Sequence, residues 1–387
     1  MFLSAILTLT SWPILIVVAL LGLITGSFLN AVIHRLPRGI SLLNPKRSFC
    51  PGCEKTIPWY ENLPVASWVL LRGRCSGCAM PIALRYPLVE LLTGGLYLLV
   101  WGKYGLPLAP VFWIFLSLLV AATFIDFDHL IIPDEITKGG VVVGVLCAML
   151  FPELFGASVW WQGFLYSLLG AAGGYVLLWG VVELGKKAFG RRRIHCEEPL
   201  GLEVLSTQEE GGSQRILKLG EEELPLAELF YRANDRVEAS CSWVEIGGEL
   251  LGGGKLTLEN ESVKFEDREW PLEEVSMIRA EVSELVLPRE AMGLGDVKFL
   301  ACIGAFLGWK GVLFSLFAGS VIGAIIGITM LLATRGRSGG RIPFGPYLAL
   351  GAALWVFAGP ELVSLYFAKV HLDALTAFFL SSLHLPV

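Results

Sequence analysis

Long apolar runs separated by polar connectors dominate the chain. No Asp, Glu, Lys or Arg occurs from Met1 to His34. That first run continues into Gly26-Ser-Phe-Leu-Asn30 and lacks the basic start and small-residue cleavage site of a signal peptide, so it reads as a retained membrane helix over about 12–33. Further runs predict helices over about 84–101, 107–126, 137–153, 161–182, 293–309, 311–333 and 344–366. Most approach the roughly 20 residues that cross a hydrocarbon layer about 30 Å thick. The expectation is an all-α polytopic membrane protein with about eight transmembrane helices, the fourth short and the sixth starting around Asp296. A large soluble helical protein would need charged faces that these runs do not have.

Two polar blocks interrupt the pattern. Residues 1–33 hold the first helix, 34–83 a four-cysteine segment and 84–187 helices two to five; 188–288 form an inserted domain, 289–370 helices six to eight, and 371–387 an apolar tail. Within the insert, Lys255-Leu-Thr-Leu258 and Ser262-Val-Lys-Phe265 alternate apolar and polar residues around a hairpin-like Glu-Asn-Glu. Gly247-Gly248 and Gly252-Gly-Gly254 mark turns, and Leu224–Tyr231 suits a short helix. A small β-rich or α+β soluble domain is expected there.

Composition sharpens the division. Of the 387 residues 54% are hydrophobic and 17% charged, with a mean hydropathy of +0.64. Soluble domains usually carry about 25% charge. The net charge of −5 hides a split: Arg191 to Glu290 hold 23 acidic and 12 basic side chains, net −11, and the other residues 12 acidic and 18 basic, net +6. A single soluble domain, a disordered or collagen-like chain and a disulfide scaffold are excluded. The acidic insert also argues against nucleic-acid binding.

Charge orients the helices. Residues 33–86 contain eight Lys/Arg against two Glu; Lys186, Lys187 and Arg191–Arg193 follow the fifth helix, and Arg335, Arg337 and Arg341 the seventh. The opposite connectors carry little beyond Lys103 and Lys310. The positive-inside bias places the basic connectors in the cytoplasm and both termini outside it.

Cys50-Pro-Gly-Cys53 and Cys75-Ser-Gly-Cys78 suit one tetrahedral zinc ion, with glycines permitting tight turns. Iron–sulfur ligation or a redox pair is the alternative. Cytoplasmic placement disfavours disulfides, and a metal compensates for the small core that fifty residues can build. Four thiolates leave no open position, so no metal is assigned to hydrolysis. Cys147, Cys196, Cys241 and Cys302 read as small buried side chains.

The carboxylates at helix ends carry the candidate chemistry. Asp126, Asp128, His129 and Asp134 follow the third helix, and Gly293-Leu-Gly295-Asp296-Val-Lys298 opens the sixth, on the same side in this topology. Ionisable groups beside an apolar layer are often functional. Two aspartates sharing one proton can combine a base toward water with an acid toward a scissile carbonyl. Spacing alone does not choose Asp126 over Asp128 as the partner of Asp296. Asp134 can equally cap the fourth helix, and Lys298 can anchor a headgroup or supply a counter-charge.

In these blocks the chain resembles the type IV prepilin peptidases. The resemblance rests on Gly26-Ser-Phe-Leu-Asn30, Arg35-Leu-Pro37, both Cys-x-x-Cys pairs, Pro81-Ile-Ala-Leu-Arg-Tyr-Pro87 with Glu90, Asp126 to Asp134, Met292-Gly-Leu-Gly-Asp-Val-Lys298 and Arg341-Ile-Pro-Phe-Gly-Pro346, in order through everything except the insert. It implies an aspartic peptidase of the bacterial inner membrane whose catalytic residues are Asp126 and Asp296. The implied substrates are type IV prepilins or type II secretion pseudopilins, cut after a Gly that ends a short basic leader. Members with four such cysteines commonly also methylate the new amino terminus with S-adenosylmethionine, and Gly26, Asn30, Glu54, Arg74, Asp134 and Lys298 are candidates near substrate or methyl donor. The insert departs from the family pattern and is expected to contact pilus or secretion assembly components, the alternative being a tolerated insertion with no separate role. A transporter using the membrane-edge aspartates and a non-enzymatic assembly scaffold are the competing classes. Transport would predict polar residues repeated near the midplane, whereas the acids cluster at one face.

Overall fold

The computed structural model describes residues 11–44, 47–189, 191–209, 212–220, 222–230, 235–275, 277–288, 292–333 and 343–369. The C-terminal tail and Arg335, Arg337 and Arg341 lie outside them, as does the side chain of Cys196. Two compact units form, one from the residues up to Trp179 together with those from Gly293 onward, the other from Gly180–Met292.

The first unit is helical: α1 (Trp12–Arg35), α2 (Ala66–Leu70), α3 (Arg85–Tyr104), α4 (Leu108–His129), α5 (Asp134–Leu150), α6 (Trp160–Phe189, running on into the second unit), α8 (Leu294–Ala333) and α9 (Gly345–Lys369). Five spans, in α1, α4, α6, α8 and α9, are long and apolar enough to cross a membrane. Their outward faces are apolar: Ile16, Val17, Leu20, Ile24 and Phe28 are exposed along α1, and Phe317, Val321, Ile325 and Ile328 along α8. That is the distribution expected when lipid, not water, is the surrounding solvent.

The 40-residue α8 is not straight. Gly308 has φ 67°, outside helical space. Gly304 and Val312 would be about 12 Å apart along an unbroken helix, yet a Cβ placed on Gly304 would lie 2.9 Å from Val312 Cγ2. The chain folds back at Gly308, giving two helical halves where the apolar pattern predicts two separate helices.

Helices are drawn together by small residues. A Cβ on Gly304 would lie 2.1 Å from the Gly170 carbonyl oxygen, and one on Gly170 2.2 Å from that of Gly304. Gly304→Ala must therefore push the α6 and α8 backbones apart. It is expected to destabilise the folded protein by about 1–3 kcal/mol, read as a lower melting temperature in detergent. Gly173→Ala, where nothing lies within 4 Å, should leave melting unchanged or raise it. Pro360 inside α9 cannot donate a hydrogen bond to the Val356 carbonyl, and the Tyr104 hydroxyl from the end of α3 supplies one instead.

The second unit is β-rich. Strands β1 (Arg191–Glu209), β2 (Gly212–Leu219), β3 (Glu222–Pro225), β4 (Val237–Ile246), β5 (Glu249–Leu251), β6 (Gly254–Leu258), β7 (Ser262–Phe265), β8 (Arg268–Pro271) and β9 (Met277–Pro288) form one antiparallel sheet in the order β3-β2-β1-β9-β4-β6-β7-β8, with β5 on β4. A short helix, α7 (Leu226–Leu229), follows β3. The β6–β7 hairpin is the one foreseen from alternation, with Leu256 opposite Phe265. Leu202, Leu217, Val244, Leu256, Ile278 and Val282 belong to the core. Both outermost strands end in proline, Pro225 and Pro271, which blunts edge pairing. Within this unit the buried Asp235 accepts a hydrogen bond from Lys186 at 2.7 Å.

Candidate active site and four-cysteine centre

α4 carries Asp126 in its last turn and ends because Leu130 adopts a left-handed conformation, its N–H returning to the Asp126 carbonyl at 2.9 Å. Pro133 then precedes α5. The Asp126 side chain turns inward, 5% exposed, and its Oδ2 accepts the Gly345 N–H at 3.0 Å. Asp128 lies about 200° further round the helix. It is exposed and forms an ion pair with Arg85, the first residue of α3. Of the two candidates, only Asp126 belongs to the interior.

Asp296 is the third residue of α8, next to Gly295. The α4–α5 turn fills the space beside them: a Cβ on Gly295 would lie 3.5 Å from the Ile132 nitrogen, and one on Gly345 would lie 2.8 Å from Ile132 Cδ1. Three segments distant in sequence meet here, around Asp126, Asp296 and Gly345.

Asp134 does not cap α5. The N-cap position is Pro133 and no side-chain cap bond forms. The carboxylate is instead held by Lys298 at 2.6 Å and Lys138 at 2.6 Å. Lys298 is thus a counter-charge, tying the start of α8 to the start of α5.

The cysteine segment contains two turns of the same design. Cys50 N–H bonds the Lys55 carbonyl and Glu54 N–H the Cys50 carbonyl; Cys75 N–H bonds that of Met80 and Ala79 N–H that of Cys75. Glu54 and Ala79, equivalent in the two turns, both have positive φ, 55° and 59°. The four Sγ atoms all lie within 4.8 Å of one another, with Cys50–Cys78 at 3.7 Å and Cys53–Cys75 at 3.9 Å. Sulfurs placed tetrahedrally 2.3 Å from one centre would be about 3.8 Å apart, so the cluster fits a metal ion. The backbone N–H groups of Cys78 and Gly77 bring the Cys75 thiol down to about 6, whereas Cys53, despite the Lys55 N–H, is pushed up to about 11 by desolvation and the neighbouring thiols. A brace between the turns was not foreseen: Lys55 Nζ donates to Ser76 Oγ at 2.7 Å, and Ser76 Oγ to Glu61 Oε2 at 2.6 Å.

The remaining candidates fall in two places. Gly26 and Asn30 lie on the face of α1 against α3; a Cβ on Gly26 would lie 2.6 Å from Glu90 Cα, and Asn30 Nδ2 donates to the Tyr86 carbonyl at 3.0 Å. Glu54 and Arg74 are exposed on the cysteine turns. No hydrogen bond joins the two groups among the described residues. Glu90 is buried and accepts the Val65 N–H at 2.7 Å, which links α3 to the cysteine segment. Cys147, Cys241 and Cys302 are buried, as expected.

Comparison with known proteins places the chain. Residues 20–104 match the bacterial peptidase A24 N-terminal domain. Residues 113–191 and 275–328 match the type IV leader peptidase family, leaving most of the β-rich unit unmatched. A prepilin leader peptidase/N-methyltransferase of Myxococcus xanthus is 32% identical over 83% of this chain and 64% of its own length. One from Aeromonas hydrophila is 30% identical over 89% of this chain and 91% of its own, and one from Pseudomonas aeruginosa 27% over 90% and 91%. No solved structure matches. Matches that run in order through both halves of the helical unit mean that the chain belongs to the type IV prepilin leader peptidase family.

Proposed function

We propose that the protein cleaves the short basic leader of type IV prepilins or type II secretion pseudopilins after its terminal Gly, using Asp126 and Asp296. The observation that carries this is the buried Asp126 at the meeting of three segments, where Ile132 packs against both Gly295, the neighbour of Asp296, and Gly345, whose N–H bonds the Asp126 carboxylate. One carboxylate takes a proton from water as the water oxygen bonds to the carbonyl carbon, while the other donates its proton to the carbonyl oxygen. On collapse the C–N bond breaks and the leaving nitrogen takes the proton that the base has gained. The hydroxyl returns a proton to the acid, leaving a carboxylic acid, an amine and the original dyad.

Eight crossings would put both aspartates at the cytoplasmic face of the bacterial inner membrane and both termini in the periplasm, in line with the positive-inside bias. A prepilin would keep its basic leader in the cytoplasm and lay its apolar helix against the bundle in the lipid. The four cysteines would hold structural zinc. The second proposed activity is N-methylation of the new amino terminus with S-adenosylmethionine as donor, with Gly26, Asn30, Glu54 and Arg74 as candidate contributors; the relatives are named for both activities.

Purified protein in detergent, mixed with a prepilin with and without S-adenosylmethionine, tests both steps by mass spectrometry of the new amino terminus. Cleavage after Gly, with one added methyl group only when donor is present, is the expected result. An unprocessed prepilin would sink the peptidase assignment. The β-rich unit is proposed to dock pilus or secretion assembly components, so deletion of 191–288 should spare cleavage of a minimal substrate. Complete loss in a stable, inserted protein would overturn that role.

A further inference from the structure

The start of α9 lies against the dyad, and its role is absent from the pattern of acidic residues. Gly345 opens the helix, and the next residue, Pro346, has no N–H. The N–H groups of Tyr347 and Leu348 both return to the Phe344 carbonyl, at 3.1 Å each. The Gly345 N–H is thus the first-turn donor with a target outside the helix, and that target is Asp126 Oδ2 at 3.0 Å. The approach is close enough to require glycine, since a Cβ there would lie 2.5 Å from the same oxygen.

We infer that the Gly345 amide is the positioning group for Asp126, fixing Oδ2, leaving Oδ1 to receive the proton of the attacking water, and so making Asp126 the base and Asp296 the acid. An N–H donor at the positive end of a helix favours a negative carboxylate over a neutral carboxyl. Among the described residues no hydrogen bond reaches the Asp296 side chain, so nothing comparable holds it ionised beside the charge of Asp126. The neighbouring acids and lysines are already engaged. Asp128 is held by Arg85 of α3, Asp134 and Lys138 of α5 pair with each other, and Lys298 of α8 pairs with Asp134. His129 ends α4 with a buried Nε2 that has no hydrogen-bond partner among the described residues, and α9 carries no acid in its first turn. This division of labour rests on the peptidase assignment proposed above.

Replacing Gly345 by glycolic acid during translation exchanges its amide for an ester and removes one N–H without adding an atom. The α-hydroxy analogue of tyrosine at Tyr347 is the control, because it removes a helix-start hydrogen bond that does not reach Asp126. With a prepilin peptide as substrate, the ester at 345 should lower kcat by about 10–100-fold with KM unchanged. It should move only the acidic limb of the kcat/KM profile, to higher pH, because that limb reports the base. The ester at 347 should keep kcat within about threefold, and both proteins should melt alike. Gly345→Ala, which displaces Oδ2 sterically, should lose at least as much kcat as the ester. Equal losses at 345 and 347, an unchanged kcat at 345, or a shift of the alkaline limb would each overturn the assignment. Failure of the unsubstituted protein to cleave is a separate result that removes the peptidase reading and this inference with it.

Discussion

Asp126→Asn and Asp296→Asn should each lower prepilin turnover by about 10³–10⁴-fold, and the double variant should be scarcely worse than either single one. In the proposed mechanism the two carboxylates share one proton and act in opposite senses, so removing either ionisable group would leave no base–acid pair. Asparagine preserves size, and its carbonyl oxygen can still accept the Gly345 N–H that reaches Asp126 Oδ2 at 3.0 Å, so folding should survive. The informative comparison is Asp128→Asn. Asp128 is exposed and paired with Arg85, and partly exposed ion pairs contribute only about 0–1 kcal/mol. That variant should keep turnover within about fivefold. Initial rates on a synthetic prepilin, with circular dichroism to verify helicity, decide the matter. More than a tenth of the activity retained by either Asp126→Asn or Asp296→Asn would remove that residue from the chemistry. An equal loss in Asp128→Asn would show that the acidic cluster, rather than the dyad, is required.

The sequence makes visible what is local. Apolar runs mark the helices because each must face lipid or other helices along most of its length, and the β6–β7 hairpin shows itself by alternation. Long-range contacts leave no such trace. Asp134 looks like a helix cap because capping is a short-range pattern, yet its partner Lys298 sits 164 positions away. Asp126 and Asp128 are equivalent in a string of letters and opposed on a helix surface. Only the packing of α9 and α3 makes one interior and the other an ion-pair partner. Gly345 stands within a block that signals family resemblance, but its amide acquires a role only when the start of α9 reaches the end of α4. In the insert, β1 runs through Glu197-Glu198-Pro199, where composition argues against a strand. A register shift against β9 between His195 and Leu200 accommodates that stretch.

Cys50→Ser or Cys75→Ser should abolish metal binding and, with it, methylation, while cleavage falls less than about tenfold. Between residues 39 and 84 the described buried residues are Cys50, Ser67 and Gly73, so this segment has almost no apolar core and the proposed metal would supply the cohesion. Structural zinc contributes about 10–16 kcal/mol to the folding of comparable small domains, far more than the Lys55–Ser76–Glu61 brace can replace. Without it the two turns should open, exposing the segment to limited proteolysis. The link that survives is Val65 N–H to Glu90 Oε2 at 2.7 Å, which ties the chain to α3 independently of the sulfurs. The dyad is built from α4, α8 and α9, none of which carries a cysteine of the cluster. Its geometry should therefore outlast metal loss, which is why the two activities should separate. Metal analysis by mass spectrometry should find about one zinc per chain in the native protein and almost none in either variant. Unchanged zinc would refute ligation by all four thiolates, and parallel loss of cleavage and methylation in a variant with native helicity would refute the separation.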